Sequence, residues 1–379
     1  MISISNPVLS TWIIAVIVTI CLIVSARPRK PGVLFSPVVT KELKGTAILM
    51  IIFSHIGYFL SNDPRFLWPL SIFAGVGVNI FLFLSAYGLS ISNIKSPLSI
   101  WQWYKKRLPK LFISLWILLV ILFLMDYFIL DRSYSFRYIW HSLIGYFPSA
   151  DLYHDIDSVL WYFTFILFYY LLYPLLFLKK HVWISSILLL LGTLLLINLN
   201  SFVSPDLLKL YKVHSFAFPL GVMVAWVSTT SAAAKVSQYL TEHIGTVNSK
   251  SLGGHNSGLV VRARHGLLLL TLLLIIGYLS VHSGVGQSAL KEQFLSLCTV
   301  ALIVLLFIIK RVEFKFLSLF GVFSYEIYLF HWPLLSRYDI IYRHLPAWFA
   351  TLIWLGIFIV LGWFLHLVSE KFQTRRNTI

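Results

Sequence analysis

The sequence predicts an all-α fold, a polytopic membrane bundle of about 11 transmembrane helices, and three observations predict it. The first is composition. The 379 residues are 59% hydrophobic and only 12% charged, with a mean hydropathy of +0.85, whereas soluble domains carry about a quarter charged residues. The second is segmentation into apolar runs long enough, or nearly so, to cross a hydrocarbon core of ~30 Å. The third is where the charge falls. Of the 30 Lys and Arg, 22 lie in alternate connecting segments, the distribution that fixes orientation in membrane proteins.

In chain order the runs are 7–25, 45–60, 67–92, 111–130, 158–178, 182–199, 213–229, 265–282, 293–309, 316–335 and 347–368. The first lacks the basic start and small-residue cleavage site of a signal peptide, so it reads as a retained span. The basic segments then place the N-terminus outside and the C-terminus inside. Nine of the 14 acids fall on the opposite side. The net charge of +16 is therefore a topology signal and not a nucleic-acid footprint. The topology gives a first span and basic inner linker (1–39), the remaining spans, and a cytoplasmic tail (373–379). The location implied is the cell (plasma or inner) membrane. The two cysteines, Cys21 and Cys298, sit inside apolar runs, which argues against a disulfide framework or thiolate metal site.

Two connecting segments stand out. The outer segment 126–157 is acidic and aromatic, and segments of that length are commonly functional or disordered. Its Asp151, His154, Asp155 and Asp157 have no spacing diagnostic of a metal site, so the expectation is solvated loop acids and no metal. The inner segment 230–264 is rich in Ser, Gly and Ala and reads as a flexible connector. Its GGHNSG lacks the Lys-Ser/Thr ending of a phosphate loop.

The polar residues inside the spans carry the chemistry. His55 follows Lys44 by eleven residues, on nearly the same helix face and ~16 Å further along the axis. An ionisable ring in mid-membrane is a functional candidate; the other reading is a neutral imidazole bonded to a neighbouring carbonyl. Glu326 follows Lys315 by the same eleven residues. If both spans are continuous helices, Glu326 and His55 share a depth, and a carboxylate would orient the ring as a base. His331 lies nearer the outer surface on the face of Ser324 and Tyr328, with Pro333 following, a placement that is often structural. Gly75, Asn79 and Ala86 share one face of the third run, suited to close packing with a hydrogen bond from Asn79. Lys105, Lys106, Arg107 and Lys110 lie beside Trp101 and Trp103. Inner-face anchoring explains them, as does a clamp for an anionic ligand from the cytosol.

Four stretches together resemble the acyltransferase-3 family of integral membrane O-acyltransferases. KGTAILMIIFSH is similar to the family's opening, matching its basic residue at Lys44 and its histidine at His55. GVNIFLFLSAY matches at Gly77, Asn79, Ser85 and Tyr87, and RLPK at Arg107 and Lys110. FSYEIYLFHWP matches at Ser324, Tyr325, Tyr328, His331 and Pro333. With LWYFTFILFYYLLYP the resemblance spans roughly 40–372 and leaves the first span as an addition to the usual ten. Lys stands for Arg at 44 and 110, keeping charge but losing the guanidinium fork. Ala86 replaces a glycine, and Ile166 and Leu167 occupy places that are acidic in many sugar-modifying members.

The resemblance implies transfer of an acyl group, most simply acetyl, from acyl-CoA to a hydroxyl of an envelope polysaccharide or glycolipid sugar. His55 would be the base, with Glu326 its catalytic partner. Lys44, Arg107 and Lys110 would bind the anionic CoA, and Asn79, Ser85, Tyr87 and Tyr325 would help line the substrate path. Ser324, Tyr328 and His331 would line its acceptor side. No tightly bound cofactor is expected. The expected partners are membrane lipid, acyl-CoA and a glycan or glycolipid acceptor. A different class, an exporter or flippase of a lipid-linked sugar, would use the same residues to line a conduit.

Overall fold

The computed structural model describes residues 2–29, 35–152, 154–199, 202–231, 233, 235, 255–282 and 288–377, with 255–265 and 373–377 described by backbone alone. Most of the expected connector 230–264, including GGHNSG, and the side chains of the tail lie outside the described side chains.

The fold is a helical membrane bundle. Among the described residues, eight helices are long and apolar enough to cross a membrane, and Val182–Asn198 and Gly266–His282 are shorter apolar helices. In order, α1 is Pro7–Ser25, α2 Pro37–Ser54, α3 Ala74–Lys95, α4 Ile100–Leu130, α5 Phe136–Leu143, α6 Trp161–Leu176, α7 Val182–Asn198, α8 Pro205–His214 and α9 Ala217–Ser228. Then come α10 His255–His282, α11 Ala289–Ile309, α12 Lys315–Val322, α13 Ser324–Ser336 and α14 Ala347–Asn377. Two three-residue strands, β1 (Ala26–Pro28) and β2 (Val312–Phe314), pair antiparallel.

α1 presents Trp12, Val16, Ile20 and Val24 outward, as a lipid-facing helix does, yet it is fastened at both ends. Arg27 pairs with Glu313 in the β1–β2 register. At the other end Ile2 N–H donates to Leu60 O (2.8 Å) and Leu67 N–H to Thr11 Oγ1 (2.8 Å).

Three runs fold differently from expectation. The run 67–92 becomes α-helical only at Ala74, after Leu67 in the left-handed region (φ 60°) and a 3-10 turn at Leu70–Ile72. The basic stretch before run four is no loop. A Ser99–Gln102 capping box starts α4 there, and the helix continues for 31 residues, ~46 Å at 1.5 Å per residue. The run 316–335 is two helices broken at Phe323, neither long enough to span alone.

That break follows from how α12 meets α2. A Cβ at Gly45 would overlap the Leu317 carbonyl, and one at Gly321 the Lys41 carbonyl. Only glycine on both helices permits this backbone contact. The pairs run in opposite senses, so α12 passes antiparallel to the first turns of α2 instead of rising beside it. The chain turns at Phe323, and α13 makes the ascent. Buried Glu42 clamps the same end. Its Oε1 accepts from Lys310 Nζ (2.6 Å) and from Phe314 N–H (2.5 Å). α3 closes the core by meeting α2 through Gly77 at Ala47 O, and α9 through Ala86 at Gly221.

Candidate active site

α2 ends in a π-helical turn, His55–Leu60, a distortion that recurs at functional sites. It aims the His55 ring at α13. His55 Nδ1 lies 2.7 Å from His331 Nε2. The rings are 6° from parallel with centroids 4.9 Å apart. So long a centroid separation over so short an N···N contact means the rings meet edge to edge, through a hydrogen bond and not by stacking faces. Phe59 and Trp332 present edges to the His55 ring. His331 is fully buried, whereas His55 keeps partial access.

The network fixes the protons. His331 Nδ1 faces the carbonyls of Tyr328 (2.9 Å) and Ile327 (3.2 Å). Carbonyls only accept, so Nδ1 carries the hydrogen, and the neutral ring holds a lone pair at Nε2. His55 Nδ1–H therefore donates to it. His55 Nε2 is left with a lone pair and with no hydrogen-bond donor among the described residues. An imidazole whose one nitrogen is fixed and whose other is open is arranged as a general base.

The expected pairing of Glu326 with His55 is not what the structure contains. Because the span is broken at Phe323, Glu326 sits in the first turn of α13, below the level of His55, and His331 comes level instead. Glu326 Oε1 accepts from His366 Nδ1 of α14 (3.0 Å), and His366 Nε2 lies 3.5 Å from Glu370. Glu326 also attracts Lys44 electrostatically. Nor does His331 lie nearer the surface than His55.

The hydroxyls of the late motif hold α13 in place. Ser324 Oγ donates to Gly321 O (3.2 Å), Tyr325 OH to Leu111 O (2.7 Å) and Tyr328 OH to Val159 O (2.5 Å). Pro333 does not end the helix, which runs on to Ser336. Beside Tyr328, Asp157 caps the turn before α6 by accepting from Val159 N–H (3.2 Å). Its Oδ2 and the adjacent Ser158 Oγ are buried without partners among the described residues. Burial raises the Asp157 pKa well above the usual carboxylate range.

A second cluster forms at the basic end. Arg107 Nη2 donates to Ser92 Oγ (3.1 Å), and its Nε is buried without a partner among the described residues. Ser85 Oγ and Tyr170 OH share a bond of 3.2 Å, and Tyr173 OH donates to Ser90 Oγ (3.3 Å). Trp103 packs between the rings of Tyr170 and Tyr173. Tyr87 bonds Ser228, and its ring is tilted 41° against that of Phe35. Lys110 is exposed on the same helix as Arg107. Asn79 lies elsewhere. It is fully buried, donates from Nδ2 to Ser296 Oγ (2.7 Å), and accepts from His214 Nδ1 (2.8 Å).

Sequence reasoning missed His366, His214, Tyr170 and Tyr173. His366 had a signal, standing four residues before Glu370 on one helix face. His214 had none, since its partner is 135 residues away. Of the two residues standing where the resemblance implies acids, Ile166 is buried and Leu167 packs toward Gly145.

A family model described as an acyltransferase domain (Acyl_transf_3) matches residues 43–368. The chain belongs to the acyltransferase-3 family. The match opens beside Lys44 and closes beyond His366, so it encloses the histidine pair, the Arg107 cluster and the Glu326–His366 contact. Neither the curated proteins nor the solved structures compared with it contain a match.

Proposed function

We propose that this membrane acyltransferase moves an acyl group, acetyl in the simplest case, from acyl-CoA to a hydroxyl of an envelope polysaccharide or glycolipid sugar. The observation that carries the reading is the His55–His331 bond, which leaves His55 Nε2 as a fixed and open base. In this scheme Nε2 takes the proton of the acceptor hydroxyl as its oxygen attacks the thioester carbonyl. The carbon–sulfur bond then breaks, and CoA leaves as the thiol once protonated. His331 holds the His55 ring and disperses the charge it gains through its own bond to Tyr328 O.

The basic end suits the donor. Arg107 keeps a buried N–H without a partner, and an anionic phosphate is the group such a donor favours. Lys110 adds positive charge on the same helix, and Trp103, Tyr170 and Tyr173 give flat surfaces. Glu326 then acts at a distance from the reacting atoms, fixing Lys44 and His366. The basic face is assigned to the cytosol of a plasma or inner membrane.

The test is labelled acetyl-CoA given to the purified protein in lipid nanodiscs. The expected result is slow release of labelled acetate, or passage of label to added envelope glycan. Labelled acetyl-CoA left intact by a folded protein, with glycan moved across vesicles, would instead make it an exporter.

A further inference from the structure

A cavity of about 380 Å³ opens beyond the histidine pair, lined by Ile2, Ser3, Leu60, Ser336, Arg337, Asp339, Tyr342 and Arg343 among others. Both histidine-bearing segments lead to it. Leu60 closes the π-helical turn that His55 begins, and Ser336 ends α13 five residues after His331, ~7 Å along the helix. Its volume falls within the range of small-ligand sites. The third wall comes from the segment before α1. Ile2 is bonded to Leu60 O and Asn62 N–H, so the additional N-terminal span helps to build the cavity.

The polar groups there are specific in what they lack. Asp339 is buried, and its Oδ1 accepts from Ile341 N–H, Tyr342 N–H and Trp354 Nε1–H. Its Oδ2 is buried with no partner among the described residues, an acceptor in need of a donor. Arg337 commits Nη1 to Asp126 and Tyr134. Arg343 is exposed and makes no ion pair among the described residues. A ligand matching both needs brings a hydroxyl to the carboxylate and an anion to the guanidinium.

We propose that this cavity is the acceptor subsite and selects a sugar bearing an anionic group, a carboxylate or phosphate, whose hydroxyl donates to Asp339 while Arg343 holds the anion. The proposal rests on the acyltransferase reading for its meaning but is tested without turnover. Binding of glucuronate, glucose 6-phosphate and glucose to the full-length protein in nanodiscs is measured by calorimetry. The two anionic sugars are expected to bind about fivefold tighter than glucose, the scale of one exposed charge pair. Arg343→Ala is expected to abolish that preference while leaving glucose binding in place, and Asp339→Asn to weaken all three sugars together. Equal binding of the three by the unaltered protein overturns the proposal. So does a preference that survives Arg343→Ala, or displacement of glucuronate by a lower concentration of dihexanoyl-phosphatidylglycerol, which makes the cavity a lipid-headgroup site. Because Arg343 is exposed, its variant decides the matter even where Asp339→Asn fails to fold. Failure here leaves acetate release from acetyl-CoA intact, whereas loss of the acyltransferase reading removes that release and leaves sugar binding.

Discussion

At the scale of the residue, the arrangement depends on which nitrogen of each histidine carries the proton. His331 is a positioning residue, touching His55 and two backbone carbonyls. His331→Ala is expected to slow acyl transfer ~100-fold, the lower range for a general-base contribution. His331→Gln, which offers an oxygen to His55 Nδ1–H, is expected to recover part of the rate, and kcat of both variants checks this. A merely structural role would show no such order. Asp157 gives a second prediction. Burial holds its pKa far above the ~3.9 of an unfolded chain, with Asp155 raising it further and Arg337 opposing. The sign follows from linkage. Below the unfolded value both states are protonated and the residue costs nothing. As pH rises past it the unfolded carboxyl ionises first and stability falls. Asp157→Asn keeps the cap and removes that cost. Its thermal midpoint is expected to lie above that of the unaltered chain at about pH 7 and to match it at about pH 3.5.

At the scale of the element, the lesson is the break at Phe323. Hydropathy alone gives 316–335 as one span, because a kinked pair of helices and a straight one bury the same apolar residues. The eleven-residue count that put Glu326 beside His55 needs a continuous helix, and two glycines 276 residues apart, Gly45 and Gly321, remove that condition. Each glycine was readable as a small packing residue, but their partnership was not. The basic residues of α4 likewise read as a connecting segment, because charge marks the end of a span as well as the polar first turns of a long helix. The Ser99–Gln102 capping box, legible in the sequence, marks the true start. The Lys310–Glu42 pair tests this packing. Lys310→Ala leaves a buried carboxylate uncompensated and is expected to cost ~3–5 kcal/mol, whereas replacing both by apolar residues of similar size costs little. Thermal midpoints of the single and double variants distinguish the two.

At the scale of the whole molecule, the membrane class, most helix positions and the family were legible, because composition and short motifs report them locally. His55 and His331 were legible too, as polar residues in apolar surroundings, and Arg107 as part of a basic run beside Trp101 and Trp103. Their partners were not, since contacts such as His55–His331 join residues 276 apart. The body of the bundle sets the histidine pair between a basic end, where Arg107 keeps an unpaired buried N–H, and a far end where Asp126 binds Arg337 and the hydroxyls of Tyr134 and Tyr338. The measurement that tests the central claim most directly is acetyl release or transfer by His55→Ala, in protein whose membrane insertion and thermal midpoint match the unaltered chain. The expected rate is lower by ~10³-fold. A rate within about twofold of the unaltered enzyme would contradict a catalytic base at His55.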